Sequence, residues 1–520
     1  MKTYLDLVLT PQEAAIKELY TDAAARQLGI ESSRISYIEP TKRTIDARQQ
    51  VVKINLTVLL VVDEPVSEEL FKIPEPQYHN VQNKPEVIIV GTGPAGLFAA
   101  LRMLQLGLKP VLIERGKDVH SRKRDIAKLH RNDGLNPESN YCFGEGGAGA
   151  FSDGKLYTRS KKRGDIEAVL QTLYLHGADK QILIEAHPHI GTDKLPQIVE
   201  RIRNTIINHG GEVHFNTQLT DLIIENSTIK GIVTQSGEKC TANNVILATG
   251  HSAFDVYNLL NTKEIALEAK AFAAGVRVEH PQELIDQIQY HTKTIDKYLP
   301  SATYKIATQV ENRGVYSFCM CPGGYIIPAS TSPAEMVVNG MSPSKRNSPF
   351  GNSGIVVEVR LDDIKEFHQY GAFSALHFQR HLEYLAFQNG GQGLIAPAQC
   401  LNDFVTGKLS SRLPGYSYNP GLISSPLHFW LPDIIGKPLQ TAFKQFGKTI
   451  KGFLTNEAIV VGVESRTSSP IRIPRNDQTL AHTQIGGLYP CGEGAGYAGG
   501  IISSAMDGIR CADKIFEKIT

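Results

Sequence analysis

Residues 87–115 carry the feature that most narrows the fold. An apolar run, Val87-Ile88-Ile89-Val90, ends in Gly91-Thr92-Gly93-Pro94-Ala95-Gly96. A helical run follows, and then Val111-Leu112-Ile113-Glu114-Arg115. A buried strand that stops at a glycine turn and feeds a helix reads as the start of a βαβ unit. Gly91 suits the tight turn, Gly93 keeps a Cβ away from a pyrophosphate, and Gly96 lets helix and strand pack closely. The helix N-terminus offers N–H groups and partial positive charge to phosphates. Glu114 ends the second strand, where a carboxylate can accept ribose hydroxyls. The spacing predicts a Rossmann-like, nucleotide-binding α/β domain.

Three further segments extend this site. Gly144-Glu145-Gly146-Gly147-Ala148-Gly149, running on to Ser152-Asp153-Gly154-Lys155, supplies backbone donors and room for a planar ring. Lys155 reads either as a cation beside that ring or a substrate anion, or as a solvated loop lysine. Ala248-Thr249-Gly250 follows the apolar run Val245-Ile246-Leu247. Gly492-Glu493-Gly494-Ala495-Gly496-Tyr497-Ala498-Gly499-Gly500-Ile501 precedes a C-terminal helix. The last two segments resemble the second and third chain passages of the glutathione-reductase-type FAD fold. That resemblance places Glu493 by the ribityl or pyrophosphate region and aims the helix that starts near Gly499 at the flavin. The expected cofactor set is therefore Gly91, Gly93, Pro94, Ala95, Gly96, Glu114, Arg115, Gly144, Glu145, Gly146, Gly147, Ala148, Gly149, Ser152, Lys155, Thr249, Gly250, Gly492, Glu493, Gly496, Gly499, Gly500 and Ile501.

The chain has 520 residues, more than one hydrophobic core usually supports, so several domains are expected. Residues 1–62 read as a small α+β module: strand Tyr4–Leu9, a helix over 11–28, and strands over 35–38 and 51–62. Residues 63–84 read as a linker. An FAD-binding domain is expected over 85–254 and 456–520, interrupted by an inserted α+β substrate domain over 255–455. Within the first part, 117–165 is basic, rich in glycine and without clear periodicity.

The net charge is +1, which argues against a nucleic-acid partner, as does the absence of an aromatic platform beside Lys42, Arg43 and Arg48. Seven scattered cysteines with no CxxC pair suit a reducing compartment and neither a disulfide framework nor a zinc ribbon, so no metal is expected. No signal-peptide core and no run of about 18 apolar residues is present, so the expected location is the cytoplasm, with no membrane partner.

Several longer stretches carry a family resemblance: GTGPAGLFAA, FGEGGAGAFSDGKL, HIGTDKL, ILATGHSA, GVRVEHPQ, RGVYSFCMCPGG, VESRTSSPIRI and YPCGEGAGYAGGI, with TIDAR nearer the N-terminus. Together they resemble the bacterial family of uncharacterised FAD-dependent dehydrogenases of the NAD(FAD)-utilizing type. The resemblance implies a cofactor, FAD, and a class, the oxidoreductases. No histidine or cysteine is placed for attachment, so FAD is expected to be non-covalent, and the leading expectation is a hydride passed between FAD and a small organic substrate. A single glycine fingerprint leaves NAD(P)H at most a transient electron donor. Two other readings are a flavin-dependent RNA-modifying enzyme and a flavin-bound redox sensor or assembly protein.

Candidate catalytic groups lie in the middle motifs. Arg277 and Glu279 share a strand face, with Arg277 either clamping a substrate anion or pairing with a glutamate. His280 reads as a general acid or a structural histidine. Glu464 and Arg466 share another face and could line the flavin. Lys155 and Tyr497 complete the set, Tyr497 as a proton donor or a stacking ring. Cys319 and Cys321 read either as a redox relay or as buried structural cysteines.

Overall fold

Five parallel strands form the sheet that positions the site. The computed structural model describes residues 2–66, 72–158 and 164–520. Residues 67–71 of the expected linker and 159–163 of the basic stretch lie outside the described residues. In spatial order the strands are Leu488–Pro490, Val245–Leu247, Glu86–Val90, Lys109–Ile113 and Glu212–His214. Val90 pairs with Ile113 and Leu247, and Leu247 with Pro490. Four strands thus end in register, and the glycine segments that follow them gather at one carboxyl edge.

Beyond Glu86, Lys109 and the edge strand Glu212–His214, the strands are apolar because both faces are covered. Val87, Ile89, Leu112 and Ile246 face the helices Pro94–Leu106, Leu195–Asn208 and Ile501–Ile519. Ile88, Val90, Ile113 and Leu247 face an antiparallel meander, whose strands are Leu219–Glu225, Thr228–Thr234 and Lys239–Thr241, and the helix Phe254–Thr262. The result is a mixed α/β fold built on a parallel sheet.

A second, seven-stranded sheet runs in the order Ala307–Val310, Arg313–Cys321, Phe350–Val359, Phe272–Pro281, Ile459–Glu464, Ala396–Cys400 and Leu422–Ser424. Its central strand, Phe272–Pro281, is buried along almost its whole length. A third sheet joins Lys2–Leu9, Lys53–Val62 and Ile35–Asp46 in that order.

The local reading needs three corrections. The helix expected over 11–28 is two helices, Pro11–Ala15 and Lys17–Leu28, because the chain is extended at Ile16, a β-branched residue poorly suited to a helical turn. The strand expected over 35–38 continues to Asp46. It lies at a sheet edge and shifts register between Pro40 and Lys42, which is how a strand tolerates proline. The stretch 117–165 contains an unanticipated helix, Val119–His130, capped by Asp118. Its buried residues Val119, Arg122, Ile126 and Leu129 are helically spaced, but the arginine among them hides the apolar stripe. In the basic patch of the N-terminal segment, Arg43 pairs with Glu185 at 2.9 Å and Arg48 with Asp46 at 2.6 Å.

Candidate functional site

The gathered strand ends open onto a cavity of ≈ 400 Å³. Gly91, Gly93, Pro94, Ala95, Glu114 and Arg115 line it from the first βαβ unit. Gly147, Ala148, Gly149, Ser152 and Lys155 line it from the glycine loop, Thr249 and Gly250 from the third strand end, and Gly492, Glu493, Gly499, Gly500 and Ile501 from the last. The helices Pro94–Leu106 and Ile501–Ile519 begin on this wall, and neither has a side-chain cap. Their first-turn N–H groups are therefore available to an anion, with the helix dipoles behind them.

Backbone geometry gives this cavity its shape. Gly91 has φ +105°, and a Cβ there would lie 2.4 Å from the Ala248 carbonyl oxygen. A Cβ on Gly499 or Gly500 would meet no protein atom within 4 Å, so the bare backbone leaves space against the cavity. The Nδ1 of His251, another wall residue, is buried without a hydrogen-bond partner. Bare glycine backbone, two open helix starts and an unpartnered polar atom fit a phosphate-bearing nucleotide with a planar ring.

Glu114 departs from the expected ribose role. Its Oε2 accepts from the Thr92 N–H at 3.0 Å and the Thr92 hydroxyl at 2.8 Å. Its Oε1 accepts from the Gly116 and Gly144 N–H groups at 3.0 and 3.1 Å. These four donors match the roughly four lone-pair sites of a carboxylate, so Glu114 ties the first turn to the glycine loop. Arg115 pairs with Glu138 at 2.7 Å and Asp255 at 2.8 Å, with its guanidinium over the Phe143 ring.

Five residues of the expected cofactor set lie off the wall and hold the loops instead. The Gly144 N–H reaches Glu114, the Gly146 N–H donates to the Thr92 carbonyl and the Gly496 N–H to the Glu493 carbonyl. Gly96 packs against the Gly91 carbonyl oxygen. Glu145 accepts from the Val119 N–H at 2.8 Å and pairs with Arg203 at 3.2 Å. Burial pushes its carboxyl up to about 7. Arg122, fully buried, donates to the carbonyls of Asn140, Tyr141, Gly144 and Glu145.

The candidate catalytic residues separate into two groups. Lys155 and Arg466 line the cavity. Lys155 pairs with Asp153 at 3.1 Å. Arg466 holds Glu383 through two nitrogens, at 3.0 and 2.9 Å, and Glu335 at 3.0 Å. Arg277, Glu279, His280, Glu464 and Tyr497 lie behind the wall. The expected substrate clamp at Arg277 is corrected: its nitrogens are engaged by Asn352, Asn339, Glu464, the Cys319 carbonyl and the Cys321 sulfur. Five partners match the five N–H groups of a guanidinium. Glu279 accepts from the Ser417 N–H at 2.8 Å and from its hydroxyl. His280 Nε2 bonds the Phe453 carbonyl at 2.8 Å, and burial drives its imidazole down to about 4. Tyr497 stacks under Arg475, whose guanidinium lies 3.8 Å above the ring, and its hydroxyl accepts from the Arg475 N–H.

Sequence reasoning missed His251, Asn339 and the placement of Cys319, which share the cavity wall with Lys155 and Glu493. Burial pushes Glu493 up to about 7, against the pull of Lys270. Burial, then the charge of Arg466, drives His251 down to about 4. His251 Nε2 lies 3.9 Å from Glu493 Oε1. The usable signal for His251 was its position just past a glycine turn at a parallel strand's carboxyl end, where ligands bind in such sheets.

Among solved structures, the flavin-dependent brominase Bmp2 is similar at 14% identity and TM-score 0.37, over 84% of this chain and 80% of that one. A geranylgeranyl bacteriochlorophyll reductase-like protein from Thermoplasma acidophilum is similar at 14% identity and TM-score 0.35, over 84% and 79%. Residues 1–61 match a family model described as a domain of unknown function. Residues 271–467 match the model described as FAD-dependent protein, C-terminal domain-like. A Clostridium beijerinckii protein described as uncharacterized is 41% identical over 510 residues, covering 95% of each chain. The chain belongs to one family with that Clostridium protein.

Proposed function

We propose that this chain is an FAD-dependent oxidoreductase that holds FAD without a covalent bond and passes a hydride equivalent between it and a small organic substrate. One observation carries the reading: two uncapped helix starts and four in-register strand ends converge on a single glycine-walled cavity. Under this reading the glutathione-reductase-type passages are the four glycine segments. The FAD-binding parts are 85–254 and 456–520, and the segment between them selects the substrate. The first-turn N–H groups of Pro94–Leu106 would hold the pyrophosphate, and those of Ile501–Ile519 would serve the ring. When bound, FAD supplies the two-electron chemistry.

The chain's own residues do the rest. Lys155, fixed by Asp153, would keep a positive charge beside the bound cofactor. Glu493, with its carboxyl at about 7, holds or releases a proton at neutral pH. Arg466 braces the wall through Glu335 and Glu383. The test is the visible spectrum of the purified protein, followed by acid precipitation. A flavin spectrum whose colour leaves with the supernatant is expected. Protein that is colourless and takes up no added FAD overturns the reading, and colour that stays in the pellet overturns its non-covalent part.

A further inference from the structure

The strand Arg313–Cys321 ends in Cys319-Met320-Cys321, and its pairing with Phe350–Val359 breaks between Phe318 and Cys321. Cys319 adopts φ +53°, a left-handed conformation uncommon for a residue with a side chain. The break turns Cys319 onto the cavity wall, where it is exposed, while Cys321 stays buried behind it. The Cys321 thiol donates to the Cys319 carbonyl at 3.5 Å, which keeps the two side chains adjacent. Lys155 Nζ lies 3.7 Å from Cys319 Sγ and 4.0 Å from Cys321 Sγ. That ammonium is itself held by Asp153 and by the Met320 carbonyl. Arg277 Nη2 donates to the Cys319 carbonyl at 2.7 Å and lies 3.7 Å from Cys321 Sγ.

Asp153, Glu464 and Glu493 are the anions close enough to oppose ionisation of Cys319. The Cys321 side chain and the two cations outweigh them. The neighbouring Cys321 side chain first, then Lys155 and Arg277, hold the Cys319 thiol well below its ordinary range, while the Cys319 side chain and burial push Cys321 well above it. A cation-flanked thiolate with a second thiol beside it is the environment of a reactive cysteine.

We infer that Cys319 and Cys321 form a redox-active dithiol on the cavity wall, with Cys319 as the reactive thiolate, that exchanges an electron pair with bound FAD. The inference rests on the FAD reading of the cavity. The step balances as follows. The Cys319 thiolate and the Cys321 thiol form one S–S bond while the Cys321 S–H bond breaks. Two electrons pass to oxidised FAD, and the Cys321 proton ends on the reduced cofactor. The reverse step returns thiolate, thiol and oxidised FAD.

Protein purified with its cofactor is treated with diamide, desalted, and titrated anaerobically with dithionite while FAD absorbance is followed. Unaltered protein is expected to take up four electrons per FAD, and Cys319→Ser and Cys321→Ser two. Before reduction, the peptide containing both cysteines is two hydrogens lighter. Iodoacetamide is expected to label Cys319 in untreated protein with a pH midpoint below the ordinary thiol value of about 8.5, and Lys155→Gln raises that midpoint. Two electrons per FAD in unaltered protein, or Cys319 labelling that tracks half-buried Cys240, overturns the inference with the FAD reading intact. Protein that binds no FAD overturns both, and its lack of colour distinguishes that failure.

Discussion

Glu114→Gln separates two roles for the carboxylate at the end of the second parallel strand. In the structure its oxygens accept four donors: the Thr92 N–H and hydroxyl at one oxygen, and the Gly116 and Gly144 N–H groups at the other. Glutamine keeps one oxygen, which can face Gly116 and Gly144. Its NH₂ then faces Thr92, whose hydroxyl can turn to accept, but the Thr92 N–H is left against a donor. That stranded, buried N–H costs about 1–3 kcal/mol. Each of the three surviving bonds falls from charge-assisted to neutral strength, losing roughly 1 kcal/mol apiece. The sum is about 4–6 kcal/mol, or a melting-temperature drop on the order of 10–20 °C for a region of this size. The assay is thermal unfolding of cofactor-stripped protein, so that ligand linkage does not enter. An unchanged melting temperature with weakened FAD binding would refute the reasoning and return Glu114 to the ribose.

Two further outcomes follow from buried charge. Arg122→Met removes the side-chain donor of four loop carbonyls, of which Gly144 keeps the Gly147 N–H, and is expected to cost about 3–5 kcal/mol through the stranded acceptors, read as a lowered melting temperature together with loss of FAD from the glycine loop. A melting temperature equal to the parent's would show that the loop does not depend on Arg122. Burial raises the Glu279 carboxyl to about 7, so its folded state binds a proton more tightly than its unfolded state. The associated stability is full below the unfolded value near 4.5 and is lost as pH rises through about 7. Glu279→Gln keeps both Ser417 contacts and is expected to flatten the fall in melting temperature between about pH 5 and 8. An undiminished fall would mean that another group carries it.

The parallel sheet and its glycine edge were legible because buried strands and turns leave one-dimensional marks: unbroken apolar runs ending at Gly91, Gly250 and Gly492. The helix Val119–His130 was not, because its inward face carries Arg122, an arginine whose partners are main-chain carbonyls with no sequence signature. Arg277 and Glu464 meet from 187 positions apart, and nothing local to either reports the other. Cys319 reaches the cavity through a strand break at a residue that is neither glycine nor asparagine, so the usual marker of a left-handed position is missing. The wall glycines were therefore readable, whereas the charged groups that tune them depended on tertiary packing.

The sheet order also bears on when the protein becomes complete. The strand Leu488–Pro490 seals the edge beside Val245–Leu247, and the helix Ile501–Ile519 lies across Pro94–Leu106 of the first βαβ unit. During synthesis the first βαβ unit leaves the ribosome long before these partners exist. Its apolar helix face and the open strand edge must wait for nearly the whole chain to be made. The nascent intermediate, with the helix face that carries Ala95 and Arg102 uncovered, is the species that a chaperone would have to shield, and under the FAD reading the cofactor loads only after synthesis.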